Sequence, residues 1–211
     1  MVERFIFDLD GTLIDTDWKP EIEYFKSVLS DSESDVFVPN INRLLGEYES
    51  TFDSYDVERL RLFLNNSTGI NLTPEHIRGW RNIITNTPEI VFEGVFDTLE
   101  YLKRKGYSLT VLTNWFSEDQ IIRLKHAGLL DYFEKVIGGD VVFKPTLRSF
   151  KCATGRFSPS ECVMIGDSIN NDVNGALEAG LDAIYFDGHD KNPGKVYKKR
   201  ITKMSKLKEM Y

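Results

Sequence analysis

Five short apolar runs dominate what this chain can fold into. They are residues 3–7, Ser108-Leu-Thr-Val-Leu112, Lys135-Val-Ile137, Cys162-Val-Met-Ile165 and Ala183-Ile-Tyr-Phe186. None alternates apolar with polar residues. Uninterrupted runs of this length suit strands buried on both faces, as in a parallel sheet covered by helices. Helical patterns separate the later runs. Val95, Leu99 and Leu102 recur at helical spacing, and Lys103-Arg-Lys105 with Gly106 marks that helix's end. Ser117-Glu-Asp-Gln120 reads as a capping box opening a helix through Leu124. Further helices are expected over about 145–155 and 171–179, the last closed by Gly180. Strands alternating with helices predict an α/β, doubly wound (Rossmann-like) parallel sheet.

Residues 17–88 break the alternation. Thr73-Pro74 is an N-cap followed by proline at the first helical position, and Ile77, Trp80 and Ile84 mark one helix face. Helices are also expected over 20–30, 38–50 and 54–66, with SDSESD (30–35) as a polar loop. The organisation predicted is an α/β catalytic core, residues 1–16 and 89–211, with an all-helical cap domain, residues 17–88, inserted in it.

Composition excludes several classes. At 41% hydrophobic and 28% charged, the chain can bury a core without staples. Two cysteines, Cys152 and Cys162, make neither a disulfide framework nor a metal-binding cluster. With no signal-peptide pattern and no membrane-length apolar stretch, a cytoplasmic location is expected, with no membrane partner. Residues 191–211 hold eight Lys/Arg and one Glu, against a net charge of −7 for the whole chain. This basic segment lacks interleaved aromatic residues, so it is read as a solvated helix and strand and no nucleic-acid partner is expected.

Each expected strand ends in a polar signature. The first runs into Asp8-Leu-Asp10-Gly-Thr12, the second into Thr113-Asn114, and the fourth into Gly166-Asp-Ser-Ile-Asn-Asn-Asp172. Phe143-Lys144-Pro145 follows the third. In a parallel sheet these ends share one edge, where ligands bind. Two aspartates with one residue between them raise each other's pKa or demand a cation. A carboxylate can attack phosphorus and split a difficult hydrolysis into two steps through an acyl phosphate, which is the role read for Asp8. Asp10 is read as the acid for the leaving oxygen and then the base for water, with a raised pKa. The formal charges of Asp8, Asp10, Asp167 and Asp172, offset by Lys144, leave −3 to receive a phosphate dianion. A divalent ion with oxygen ligands, Mg2+, relieves this.

These four motifs, DLDGT, LTN, FKP and GDSINND, resemble those of the haloacid dehalogenase superfamily, and the helical insert resembles its small cap. The resemblance covers residues 1–15 and about 90–190. It implies a Mg2+-dependent phosphatase acting on a small phosphorylated metabolite through a phosphoaspartate. It implies Asp8, the backbone carbonyl of Asp10, and Asp167 as metal ligands, with Asp172 supporting the ion. It also implies Thr113 and the Asn114 N–H as holders of the phosphoryl oxygens and Lys144 as the group that orients Asp8. Gly11, Trp18 and Trp115 are further substrate-binding candidates; Asp17, Tyr24, Phe25, Arg78 and Arg81 are weighed for specificity. Members that cleave carbon–halogen bonds lack a carboxylate at the position of Asp10, which directs the reading to an oxygen ester. The pattern is also similar to nucleoside-monophosphate phosphatases, and a sugar phosphate is an equal candidate. The alternatives are a sugar phosphomutase, an inactive binding protein on the same fold, and, from another class, a signalling receiver domain. The insert and the second acidic pair count against the last. A monomer or weak dimer is expected.

Overall fold

The computed structural model describes residues 1–192 and 199–211. It divides into two compact units, residues 1–16 with 89–211, and residues 17–88. Residues 193–198, part of the basic segment, lie outside the described residues.

The first unit begins with β1 (Arg4–Phe7), whose four residues are all buried. The second unit follows as α1 (Lys19–Val28), α2 (Asp31–Phe37), α3 (Ile41–Thr51), α4 (Val57–Thr68) and α5 (Pro74–Asn86). The chain then returns through α6 (Val95–Arg104), β2 (Ser108–Leu112), α7 (Ser117–His126), β3 (Lys135–Ile137), α8 (Leu147–Thr154) and β4 (Cys162–Gly166). It finishes with α9 (Gly175–Glu178), β5 (Asp182–Phe186), β6 (Arg200–Ile201) and α10 (Leu207–Met210). The six strands form one sheet in the order β3-β2-β1-β4-β5-β6, and every pairing is parallel. This is the doubly wound α/β fold. The two-residue strand β6 was not among the five apolar runs, being too short to leave a pattern, and the strand and helix expected to be solvated in the basic segment instead bury Ile201, Met204 and Leu207 in the core.

Period-two geometry explains the continuous runs. Phe5 and Phe7 point to one face, where they pack with Val95, Leu99 and Leu102 of α6, Leu124 of α7 and Leu207 of α10. Ile6 points to the other, with Phe150 and Ala153 of α8 and Ala176 of α9. Both faces are covered, so no position in β1 has reason to be polar except its ends.

The starting end carries Arg4, which is 7% exposed. Its Nε donates to Ser108 Oγ (3.0 Å), one terminal nitrogen to the Ala153 carbonyl (2.9 Å), and the other to Glu134 Oε2 (2.9 Å). The guanidinium lies over Phe157, 4.8 Å from the ring centre. One side chain thus ties β1 to β2, to α8 and to the residue preceding β3.

The helical unit has its own core of Phe25, Phe37, Leu44, Tyr48, Leu60, Leu64, Leu72, Ile77 and Trp80. Trp80 Nε1 donates to the buried Glu21 carboxylate. Thr73 caps α5 as expected, with His76 completing the reciprocal pair. Two expectations fail here. SDSESD is helix rather than loop: Ser30 accepts from Glu33 N, and Glu33 reaches back to Ser30, a capping box that starts α2. The helix expected over 38–50 begins as a short 3-10 turn at Val38–Asn40, because Pro39 cannot donate a helical hydrogen bond, and α3 follows it. Among the specificity candidates, Phe25 is core, and Arg78 is exposed and pairs with Glu75 at the surface.

Replacement of Arg4 by Met should leave two buried partners, Ser108 Oγ and the Ala153 carbonyl, unmatched, while the half-exposed Glu134 turns to water. The expected cost is about 2 kcal/mol in urea denaturation.

Candidate functional site

The parallel register continues past the strand ends. Asp8 N donates to Ile165 O (2.9 Å), and Thr113 N donates to Ile137 O (3.0 Å). Asp8, Thr113 and the residues after Gly166 are therefore delivered to one rim of the sheet. Beyond Asp8 the chain folds into a tight turn. Thr12, Leu13 and Ile14 all donate to the Leu9 carbonyl at 2.9 to 3.3 Å, and Gly11 N donates to Ile14 O (2.8 Å). Leu9, Leu13 and Ile14 are fully buried and hold the turn against the sheet, which leaves Asp8 and Asp10 at the rim.

Two glycines are dictated by close approach. Gly11 has φ +73°, and a Cβ there would sit 2.3 Å from Asp167 Oδ2. A Cβ on Gly166 would sit 2.2 Å from Asp172 Oδ2. The acidic side chains occupy the space that ordinary residues would fill.

Asp8, Asp167 and Asp172 each place a carboxylate oxygen within 4.8 Å of the others. Lys144 is the cation among them: its Nζ lies 2.7 Å from Asp8 Oδ1 and 2.6 Å from Asp172 Oδ1. Asp172 is fully buried and also accepts from Ser168 N (2.9 Å), while Asp167 is exposed at the mouth. Burial raises the Asp8 pKa well above the ordinary carboxylate value; Lys144 opposes this, and Asp172 and Asp167 add to it. Desolvation and then Asp172 push Asp167 up to about 6. Burial disfavours the Lys144 ammonium, but Asp172 and Asp8 outweigh it and hold the lysine charged. Hard oxygen donors, crowded and short of positive charge, are the donor set that a small divalent ion takes. Their chemistry fits Mg2+.

Asp10 stands apart from that cluster. Its carboxylate takes a salt bridge from Arg123 (2.8 Å to Oδ1) and a hydrogen bond from Gln120 Nε2 (3.1 Å to Oδ2), and Thr16 Oγ1 donates to it. Arg123, 2% exposed, also pairs with Glu89 through Nε (2.6 Å). The expected raised pKa of Asp10 is therefore corrected: burial pushes it up, but Arg123, Thr16 and Gln120 together bring it below the usual value. As a ligand, Asp10 is left with its backbone carbonyl, since its side chain is turned toward α7.

The remaining candidates are placed as follows. Thr113, 2% exposed, accepts from Gln120 Nε2 at 2.9 Å. The Asn114 side chain accepts from Lys144 N (2.8 Å) and donates to Lys144 O (3.1 Å), fixing the backbone that carries the lysine. Trp115 is buried, and its indole N–H donates to Asp119 (2.9 Å). Trp18 lies in the helical unit, just before α1, and is 47% exposed.

Two local expectations are corrected. Ser117 is not the N-cap of α7. Its Oγ donates to Asp140 Oδ1 (2.6 Å) and accepts from Gly138 N (2.9 Å), so tertiary partners take the hydroxyl and Asp140 supplies negative charge at the helix start. Gln120, relieved of capping, turns inward. The helix expected from Asn171 is instead a π-helical segment, Ile169–Asn174, started by Ser168 and continued as α9. Its wider winding accompanies the burial of Asp172.

Sequence reasoning overlooked Gln120, Arg123 and Glu89. The available signal was Arg123 itself, one turn after Gln120 and beside Leu124 on the inward face of an amphipathic helix, where an apolar residue is the rule.

The sequence model of the haloacid dehalogenase-like hydrolases matches residues 5–186. A glyceraldehyde 3-phosphate phosphatase of Pyrococcus furiosus is 27% identical over 201 residues, 88% of this chain and 80% of that protein. One of the same description from Methanothermobacter thermautotrophicus is 37% identical over 97 residues, 44% of this chain and 43% of that protein. Among solved structures, a HAD phosphatase of Thermococcus onnurineus superposes with TM-score 0.69 and 25% identity, covering 99% of this chain and 97% of that one.

The raised pKa values have a consequence for stability. A carboxyl whose pKa is higher folded than unfolded keeps more protons in the folded state, so stability falls as pH rises from the ordinary aspartate range through about 6, the value for Asp167. Mg2+ should offset this loss. Its addition is expected to raise the melting temperature more at about pH 7.5 than at about pH 4.5. Equal shifts at both pH values would contradict the assignment of the ion to these carboxylates.

Proposed function

The chain belongs to the haloacid dehalogenase-like hydrolases, and from that premise we propose that it is a phosphatase that hydrolyses a small phosphorylated metabolite through a phosphoaspartate on Asp8. The observation that carries this reading is the cluster at the sheet rim: Asp8 held by Lys144, with Asp167 and Asp172 beside it. Asp8 and Asp167, with the Asp10 backbone carbonyl, would hold Mg2+, and Asp172 would support it. When bound, the ion supplies positive charge to the phosphoryl oxygens and keeps Asp8 ionised.

The chain's own groups then divide the work. Asp8 Oδ attacks phosphorus, forming an O–P bond as the ester O–P bond breaks. Lys144 lies on Asp8 Oδ1, so it orients the carboxylate and leaves the other oxygen to react. Thr113 and the Asn114 N–H bind phosphoryl oxygens, and Asn114's side chain keeps Lys144 in place. Asp10 gives a proton to the departing oxygen. In the second half it takes a proton from the water that attacks the phosphoaspartate, which restores it for the next ester. The Arg123 clamp favours the ionised form and hence the second half. The acid half then depends on the fraction of molecules whose Asp10 carries the proton, so esters with poor leaving groups lean on Asp10 most.

The substrate class is read as a phosphorylated sugar or triose, with nucleoside monophosphates as the comparison set. The relatives named for glyceraldehyde 3-phosphate favour testing short sugar phosphates first.

Phosphate release from p-nitrophenyl phosphate and from a panel of sugar phosphates and nucleoside monophosphates tests the reading. Activity should require Mg2+, vanish with EDTA and return on adding the ion. Asp8→Asn should lose at least about a thousandfold in turnover while its melting temperature stays near wild type. Full activity in that variant would overturn the nucleophile.

A further inference from the structure

Gln120 is fully buried, and all three of its polar positions are engaged. Its Oε1 accepts from Arg123 (2.9 Å). A guanidinium only donates, so this contact fixes which end of the amide is oxygen. The amide nitrogen must then face the other way, where its two hydrogens meet Thr113 Oγ1 (2.9 Å) and Asp10 Oδ2 (3.1 Å). Glu89 in turn fixes Arg123 by pairing with its Nε (2.6 Å) and with a terminal nitrogen (3.2 Å).

The direction of the Thr113 hydroxyl follows. A hydroxyl has one hydrogen and can accept through its lone pairs. With Gln120 donating to that oxygen, the Thr113 hydrogen cannot point at Gln120. Asp10 is already served by Gln120, Arg123 and Thr16, and the hydroxyl's own hydrogen is left for a group at the rim. We propose that Gln120, set by Arg123 and Glu89, is a positioning residue that points the Thr113 hydroxyl hydrogen at the bound phosphoryl group while holding the Asp10 carboxylate. This rests on the phosphatase reading above and adds to it the chain of donors that prepares two of its groups before substrate arrives. Pre-set donors cost no reorganisation at the moment of reaction.

A double-mutant cycle separates positioning from plain packing. Gln120→Leu keeps the volume and removes both donors; Thr113→Val keeps the shape and removes the hydroxyl. Each single variant should lower kcat/KM for p-nitrophenyl phosphate by about tenfold. The double variant should fall little below the worse single one: Gln120 then has no hydroxyl left to aim, and p-nitrophenolate leaves readily enough that the lost Asp10 contact weighs little on kcat/KM for this ester. A loss of folded protein would instead multiply both losses, so multiplicative effects would overturn the proposal. Melting temperatures of all four proteins check folding, and Gln120→Met supplies a second apolar replacement should the leucine variant not fold. Orthovanadate binding, measured by calorimetry on the same four proteins with Mg2+ present, gives a readout that needs no turnover. The same non-multiplicative pattern in vanadate affinity is expected, and a Gln120 variant that binds vanadate as wild type does would refute the role. Wild-type protein that binds vanadate but releases no phosphate from any ester would instead count against the phosphatase reading alone.

Discussion

One ammonium between two buried carboxylates is the interaction on which the site depends. Lys144 is 4% exposed and contacts both Asp8 and Asp172 at under 3 Å. Removing charged groups from water is costly, and such a pair is retained only where the partners are close and well hydrogen-bonded. The structure meets that condition through neighbours rather than through Lys144 alone. Asn114 clamps the lysine backbone, Ser168 N donates to Asp172, and Gly166 leaves the room that the Asp172 carboxylate fills. Burial displaces Asp8 and Asp167 toward the protonated form, and a cluster that still has more negative than positive charge adds to the shift. A fold that only needed stability would have no reason to keep that imbalance.

Much of this was visible in the chain. The strands were legible because both faces of the sheet are covered, so each strand is a plain apolar run whose end is announced by polar residues. Asp8, Thr113, Lys144, Asp167 and Asp172 were legible for the same reason: each follows a strand directly or by a short loop. What was not legible depended on partners distant in sequence. Ser117 has the local pattern of a cap, but Asp140 and Gly138 take its hydroxyl. Ser30 lay in a segment that looked like a polar loop, yet Glu33 completes a local capping box there, so in that case the local signal was present and composition obscured it. The lowered pKa of Asp10 belongs with these: proximity to Asp8 is local, but Arg123, which lowers it, lies far along the chain.

Asp8 and Asp10 show how one tripeptide can serve two environments. Their side chains are two residues apart, but the turn after β1 sends Asp8 toward β4 and Lys144, and Asp10 toward α7 and Arg123. Each carboxylate then has its own cation, held by a different part of the fold. The consequences differ because the surroundings differ. Lys144 is shared with Asp172 in a site crowded with acids, so it does not offset the burial of Asp8. Arg123 is shared with Glu89, but Gln120 and Thr16 also donate to Asp10, and together they prevail over its burial. Two titratable groups driven in opposite directions by their environments is the arrangement expected where adjacent carboxylates take different chemical parts.

The separation also explains why the buried arginine is placed on α7 rather than nearer in sequence. A cation on the β1 turn itself would stand close to both aspartates and neutralise them without distinction. Set on a helix that packs against the sheet, with Glu89 holding it from the far side, the guanidinium reaches Asp10 and Thr16 and, through Gln120, the hydroxyl of Thr113. Asp8 is left to the lysine. The geometry of the helix is thus what keeps the two charges apart: residues 120 and 123 share one face, a turn apart. That face meets the strand end where Asp10 and Thr113 emerge, and the polar groups it buries are satisfied there by one another.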